Sequence, residues 1–100
     1  MYGTIAHLQI KLGMEAKLRE LEQEYTTAPV PGHVFTYVYR MDAGPNQYYM
    51  AIGFTSKEAY QANAGSPEQD ARYRKLRELL AADPEWHDGE IVSMSQLEGN

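Results

Sequence analysis

A tyrosine and an asparagine three residues apart are the first candidates for a chemical role. Tyr60 and Asn63 lie in the stretch AYQAN, and residues three apart share one face of a helix. The amide of Asn63 can donate a hydrogen bond to a substrate oxygen, and the ring of Tyr60 can stack on an aromatic substrate. Tyr73, on the next predicted helix, can face the same space. The alternatives are structural: asparagine often satisfies backbone groups at helix ends, and Tyr73 fits an apolar core.

One arginine and one histidine are further candidates. Arg40 can hold a phenolate or enolate oxygen through a charge-assisted bond, or pair with an acidic residue across a subunit interface. His7 lies on the strand face of Ile5, where it can act as a general base or as a hydrogen-bonded interior residue. Among eight tyrosines, we consider Tyr37 and Tyr49 as additional substrate contacts, because tyrosine joins an apolar ring to a polar tip.

The remaining composition argues against several classes of function. The chain has no cysteine, its three histidines lack ligand spacing, and no G-x-S-x-G or glycine-rich phosphate loop occurs. We therefore expect no metal and no cofactor. A net charge of −5 without a basic stripe disfavours nucleic acid and anionic membranes as partners. No apolar run reaches the length of a membrane span, and no signal segment is evident, so we expect a cytoplasmic protein.

Sequence periodicity predicts the order strand, helix, strand, strand, split helix, strand. The predicted strands are 2–10, 33–41, 47–55 and 90–97. The first helix follows Gly13 and carries one apolar stripe of Met14, Leu18, Leu21 and Tyr25. The prolines of APVPG end this helix, and DAGPN forms the hairpin loop.

The split helix spans the most informative stretch, EAYQANAGSPEQDARY. Thr55 has capping-box spacing to the glutamate three residues on, so the first half begins there. Gly65 can end it with a positive φ, and Ser66 with Pro67 can start the second half, which runs to about Ala82. We expect the second half to bury Tyr73, Leu76, Leu79 and Leu80. The following DPEWHDG is predicted to be a turn.

This order predicts an α+β, ferredoxin-like βαββαβ fold with a four-stranded antiparallel sheet. We expect one domain over residues 1–97 and a polar tail at 98–100. Both faces of the two hairpin strands carry apolar residues, whereas an isolated two-layer domain should have one polar face. A second copy of the chain is the simplest cover for the extra apolar face.

The residues from Arg40 to Val92, above all EAYQANAGSPEQDARY and DPEWHDGE, resemble the antibiotic biosynthesis monooxygenase (ABM) family of dimeric α/β barrels. The resemblance implies two ferredoxin-like sheets paired in a homodimer, with helices outside. Some members oxidise electron-rich polycyclic phenols with O₂ and use no metal or organic cofactor. Related branches degrade haem, isomerise small lactones or have no assigned activity.

Two positions depart from the family patterns. Tyr60 stands where monooxygenase members commonly have tryptophan, and Asp70 stands where relatives often have histidine, which argues against the haem-degrading branch. The resemblance implies a cofactor-independent monooxygenase for a small phenolic, quinol or polycyclic aromatic substrate. The alternative is a non-catalytic, small-molecule-binding or stress-associated dimer. The expected catalytic residues are Asn63, Arg40 and His7. The expected substrate contacts are Tyr60, Tyr73, Tyr37 and Tyr49.

Overall fold

A four-stranded sheet forms the centre of the computed structural model, which describes residues 1–27 and 30–97. The elements in chain order are β1 (Tyr2–Gln9), α1 (Glu15–Thr27), β2 (His33–Arg40), β3 (Gln47–Phe54), α2 (Lys57–Ala64), α3 (Pro67–Leu79) and β4 (Glu85–Glu90). The strand order is β2-β3-β1-β4, and every neighbouring pair is antiparallel. This arrangement confirms the predicted ferredoxin-like fold.

The last strand lies earlier than predicted. The chain leaves α3 beside the end of β1, where Leu80 bridges Ile10 and the Ala81 amide donates to the Gln9 carbonyl at 2.8 Å. The next residues therefore run along β1 at once, within the stretch predicted to be a turn. At the other end of β4, Glu90 pairs with Tyr2, which is the first residue of β1.

Most of the predicted strand 90–97 consequently lies beyond the end of the sheet. Residues 91–97 form no strand in the described chain, although their composition favours one. Val92 and Leu97 are 84% and 90% exposed. Ile91 still donates its amide to the Met1 carbonyl at 2.9 Å, and beyond it a segment with strand-forming residues extends from the sheet without a strand partner in the described part of its own chain.

The two halves of the split helix begin at serines. The N-cap of α2 is Ser56, not Thr55, and its hydroxyl accepts from the Ala59 amide at 3.1 Å. Ser66 caps α3 as predicted, accepting from the Gln69 amide at 3.1 Å, with a proline at the start of the helix. Serine at these positions satisfies amides that lack a partner in the first turn.

The helix ends also differ from the predictions. Gly65 has φ −93°, not a positive value, because its amide and that of Ser66 close tight turns onto Gln61 and Asn63 carbonyls without a left-handed residue. The second half ends at Leu79 rather than near Ala82, since the next residue is extended and bridges β1.

The core lies at the Ile10 end of the space between the sheet and the helices. Its buried residues come from β1, α1, β3 and the end of α3. They are Ala6, Leu8, Ile10, Leu18, Leu21, Tyr48, Leu79 and Leu80, with Met14 and Leu76 packed against them. The helical stripe is thus confirmed for Met14, Leu18 and Leu21. The side chain of Tyr25 and the predicted tail at 98–100 lie outside the described residues.

The opposite face of the sheet, which we call the open face, is apolar and uncovered by any described element. Ile5, Tyr37 and Tyr39 are each more than half exposed there. Phe35 lies flat over Gly53, where a Cβ would fall 2.2 Å from the ring, so this face is tightly packed within the sheet. The exposed tyrosines show that the hairpin strands carry apolar rings on this face as well. Among the described helices, none is long and apolar enough to cross a membrane.

Candidate functional site

A cavity of about 370 Å³ lies between the sheet and the three helices, on the side away from the open face. Apolar side chains form most of its wall, including Leu8, Met50, Ile52 and Leu76. Its polar wall groups include those of Thr4, Tyr60, Asn63, Gln69 and Asp88. Volumes of roughly 300–1,000 Å³, mostly apolar with a few placed polar groups, are typical of small-molecule sites.

Tyr60 is held in the wall by its ring and by its hydroxyl. The ring meets Tyr2 and Phe54 edge to face, with centroids at 5.3 and 5.7 Å. The hydroxyl donates to Asp88 Oδ1 at 2.9 Å. Edge-to-face rings and a satisfied phenol together favour one orientation of the side chain.

The surroundings of Tyr60 keep its phenol protonated. Burial, together with the hydrogen bond and charge of Asp88, raises the pKa of Tyr60 to about 12, while the nearby Thr4 hydroxyl opposes the rise. At neutral pH this side chain is a hydrogen-bond donor and an aromatic wall, and it does not act as a base.

Asn63 lines the same cavity, one helical turn from Tyr60. Its Nδ2 reaches Gln69 Oε1 at 3.4 Å, longer than an ordinary hydrogen bond. The end of α2 uses the Asn63 backbone carbonyl instead, which accepts from the Ser66 hydroxyl at 2.8 Å and the Ser66 amide at 3.0 Å. The structural alternative for the asparagine side chain is therefore not seen, and its amide can engage a ligand.

Aromatic residues from α3 and β4 form another part of the wall. Tyr73 and Trp86 both line the cavity, with ring centroids 6.5 Å apart. Trp86 is 42% exposed on the edge strand, so the cavity opens to solvent there. Flat rings of this kind suit an aromatic ligand.

Two charged groups lie at other parts of the wall. Burial raises the pKa of Glu22, and the charge of Arg19 opposes that rise. Asp70 also borders the cavity, but it forms an i,i+4 ion pair with Arg74, at 3.0 Å, on an exposed surface. Such surface pairs contribute little to stability.

The structure brings only some of the predicted site residues together. Asn63, Tyr60 and Tyr73 line the cavity. The remaining four do not: Arg40 lies exposed at the end of β2, and the others lie on the open face, namely His7, Tyr37 and Tyr49. The roles of all seven stay predictions, since position alone does not test them.

On the open face, His7 joins a polar chain across three strands. Its Nδ1 lies 3.0 Å from Glu85 Oε2, and its Nε2 lies 2.7 Å from Gln47 Oε1. Both partner atoms are oxygens, which can accept hydrogen bonds from protonated ring nitrogens. The hydrogen bond to Glu85, followed by that to Gln47, raises the pKa of His7. Tyr49 stacks beside the ring at 4.9 Å.

Sequence reasoning missed the cavity residues on β1 and β4, two strands that pair with each other. Thr4 and Asp88 are direct partners in the antiparallel register and both line the cavity. Trp86 precedes Asp88 by two residues, so the two share a face. The period-two spacing in EWHDGE was the available signal, but six exposed residues give no apolar alternation to support a strand.

Solved structures share this fold. A protein of Deinococcus radiodurans assigned by name to antibiotic biosynthesis monooxygenases is similar with TM-score 0.77 and 17% identity, covering 99% of this chain and 100% of that one. A mutant of SnoaB, a cofactor-independent oxygenase from Streptomyces nogalater, gives TM-score 0.78 and 17% identity, covering 93% and 94%.

A protein of unknown function from Nitrosomonas europaea gives TM-score 0.74 and 18% identity, covering 98% of this chain and 95% of its own. At these identities the similarity shows the fold alone. No curated protein matches the sequence significantly.

The sequence itself carries the family assignment. The family model described as antibiotic biosynthesis monooxygenase matches residues 1–75 of the 100 in the chain. That span includes β1, both hairpin strands, the helix α2 that carries Tyr60 and Asn63, and most of α3. The chain belongs to the antibiotic biosynthesis monooxygenase family.

Proposed function

We propose that the cavity binds a small phenolic, quinol or polycyclic aromatic molecule and that the protein catalyses its oxygenation by O₂ without a cofactor. Family membership supports a monooxygenase-like function in general. The observation that carries the finer proposal is the apolar cavity of about 370 Å³, with aromatic walls and Asn63 among its lining residues. The fold similarity to SnoaB, itself a cofactor-independent oxygenase, is consistent with this chemistry.

The proposed reaction needs no electron donor besides the substrate. With anthrone as the example, loss of a proton gives an electron-rich anion that transfers an electron to O₂, and a carbon–oxygen bond forms. The oxygen–oxygen bond then breaks, one oxygen stays in the product as the new carbonyl, and the other leaves as water. Anthrone plus O₂ thus gives anthraquinone plus water, with atoms and electrons balanced.

In this proposal Asn63 donates a hydrogen bond to the substrate oxygen as negative charge develops there. Placed donors of this kind stabilise a transition state because they need no reorientation during the reaction. Tyr60 and Tyr73 form the walls against which the ring system packs. Arg40 and His7 lie outside the cavity, so their predicted catalytic role rests on the sequence reasoning alone.

Oxygen uptake by the pure protein with anthrone, 1-naphthol and a series of hydroquinones tests the proposal. We expect uptake above the uncatalysed rate for at least one of these compounds, and a loss of about 10²-fold in Asn63→Ala, the magnitude for one lost oxyanion donor. Gln61→Ala is the matched control, because Gln61 is exposed on the same helix and does not line the cavity.

The other variants separate the competing interpretations. Uptake that is unchanged in Asn63→Ala would contradict the assignment of this residue, and parallel measurements on Arg40→Ala and His7→Ala test the remaining predicted residues. Binding of the panel with no uptake beyond the uncatalysed rate would favour the non-catalytic binding protein.

We also propose that the protein is a homodimer, with the open face as its interface. Ile5, Tyr37 and Tyr39 would lose exposed apolar area there, which is the dominant favourable contribution to association. The exposed segment 91–97 offers a further apolar contact in a second copy. Because the cavity lies on the other side of the sheet, pairing would leave it open to ligand.

A further inference from the structure

One buried hydroxyl in the cavity wall has no hydrogen-bond partner among the described residues. Thr4 is 5% exposed, and its Oγ1 is buried and unsatisfied. Leaving a buried hydroxyl unpaired costs about 1–3 kcal/mol, so such groups call for an explanation. Thr4 lines the cavity, and its hydroxyl lies close to that of Tyr60.

A carboxylate faces the same point. Thr4 and Asp88 are directly opposite each other in the β1–β4 pairing, which brings Cβ atoms on a shared face to about 4.5–5.5 Å. Both residues line the cavity. Asp88 accepts one hydrogen bond, from Tyr60, and a carboxylate has capacity for further donors.

We propose that Thr4 and Asp88 together bind a hydroxyl group of the aromatic substrate. The Thr4 hydroxyl donates to the oxygen of that group, and the group donates its own proton to Asp88. Tyr60 is a positioning residue, because its hydrogen bond holds the carboxylate over the cavity. The inference rests on the proposed binding cavity and specifies that its ligand is a hydroxylated arene.

The pair discriminates between oxygen-containing groups. An ether or ketone oxygen has no proton for Asp88, and to accept from Thr4 it would have to bring its lone pairs against a carboxylate, so it gains little from the Thr4 hydroxyl. A hydroxyl satisfies both partners. Sites built to pair with a hydroxyl reject analogues that lack it, because a buried polar group is then left without a partner.

Calorimetric titration under nitrogen measures this preference without turnover, using 1-naphthol and 1-methoxynaphthalene as probes of similar size. We expect the native protein to bind 1-naphthol about tenfold more tightly. Thr4→Val, which keeps the branched shape, should lose about three- to tenfold in 1-naphthol affinity and leave the ether within about twofold, the range for one neutral hydrogen bond. Thr4→Ser is the matched control and should keep the preference.

Thermal unfolding of the ligand-free protein gives a readout independent of binding. Because the Thr4 hydroxyl is unsatisfied there, Thr4→Val should have a Tm equal to or above that of the native chain. A lower Tm together with an equal loss of affinity for both ligands would show that Thr4 has a structural role, and it would overturn the proposal. An unchanged affinity ratio in Thr4→Val would also overturn it.

Asp88→Asn provides a second test that does not depend on the folding of a β1 variant, since Asp88 is exposed on the edge strand. It should reduce the preference for 1-naphthol by weakening the acceptor, and an unchanged preference would overturn the proposal. Failure of the proposed hydroxyl binding by Thr4 and Asp88 is distinguishable from failure of the proposed function. Oxygen uptake with no preference for the hydroxyl compound refutes only the hydroxyl binding. A hydroxyl preference with no uptake refutes only the oxygenation.

Discussion

Tyr60 combines a packing role with a polar one, and a single substitution separates them. Tyr60→Phe keeps the edge-to-face contacts with Tyr2 and Phe54 but removes the hydrogen bond to Asp88. We expect urea unfolding at pH 8 to show a loss of about 1 kcal/mol in the free energy of unfolding, the usual net value of one hydrogen bond. No loss, or a loss of 3 kcal/mol or more as in ring removal, would contradict this division of roles.

The raised pKa of Tyr60 predicts that the stability of the protein depends on pH. The pKa of Tyr60 is about 12 in the folded protein and about 10 when unfolded, so the folded state holds its proton longer. Stability from this group is full below about pH 10 and is lost as the pH rises towards 12. Spectrophotometric titration should show a late-ionising tyrosine that is missing in Tyr60→Phe; identical curves for the two proteins would contradict the assignment.

The raised pKa of His7 likewise predicts that stability falls as the pH rises, but in a lower pH range. Because Glu85 and Gln47 favour the protonated ring, the pKa of His7 lies above its usual 6.5. Its stabilising contribution is therefore full below pH 6.5 and is lost as the pH rises through the folded value. In Glu85→Gln, NMR titration should show the pKa of His7 moving down, and an unmoved value would contradict the geometry of this pair.

These residues show what sequence could and could not predict about the site. The spacing of Tyr60 and Asn63 placed both on one helix face, and the structure gives both to the cavity. Thr4 and Asp88 were missed because their proximity depends on the β1–β4 register. That register is fixed by where α3 releases the chain, a long-range feature that local periodicity does not contain.

The backbone conformation at the break between α2 and α3 predicts how replacing Gly65 affects stability. Gly65 has φ −93°, and a Cβ there would lie 3.6 Å from the Gln61 carbonyl oxygen, an ordinary van der Waals distance. We expect Gly65→Ala to be neutral or to stabilise by about 0.4–1 kcal/mol, since alanine has fewer unfolded conformations. A loss above about 1 kcal/mol in chemical denaturation would show instead that this position needs the left-handed conformation.

Gly32 is the matched comparison for that measurement. Its φ is +80°, and a Cβ would come within 2.6 Å of the Ala59 Cβ. Gly32→Ala should therefore destabilise by at least about 1–2 kcal/mol, through strain and through displacement of α2 from the start of β2. Equal stabilities of the two glycine variants would contradict the backbone description.

Element order and helix starts were more predictable than element ends. Ser66 was identified because a capping serine followed by proline is a local signal, and the structure confirms it. The strand predicted at 90–97 was wrong in position because its apolar residues favour a strand, whereas pairing was decided by the length of β1. Backbone pairing with β1 places the acidic segment Glu85–Glu90 in the sheet.

The molecule as a whole has one sheet face with exposed apolar side chains that no described element covers, which we propose is covered by a second copy. We expect light scattering at micromolar concentration to give about twice the 11.4 kDa of one chain. Ile5→Lys should shift the protein towards monomer, because a charge at an apolar interface without a partner is costly. Gln61→Lys, on an exposed helix surface, should not. A native mass near that of one chain would contradict the dimer and leave the open face unexplained.

The central claim is that this ABM-family cavity directs one oxygen atom of O₂ into an aromatic substrate. Mass spectrometry of the product formed from anthrone or 1-naphthol under ¹⁸O₂ tests it most directly. We predict one labelled oxygen in the quinone, with labelled product far less abundant for Asn63→Ala than for native protein and Gln61→Ala. Product without label, or label in equal yield when protein is omitted, would contradict the account.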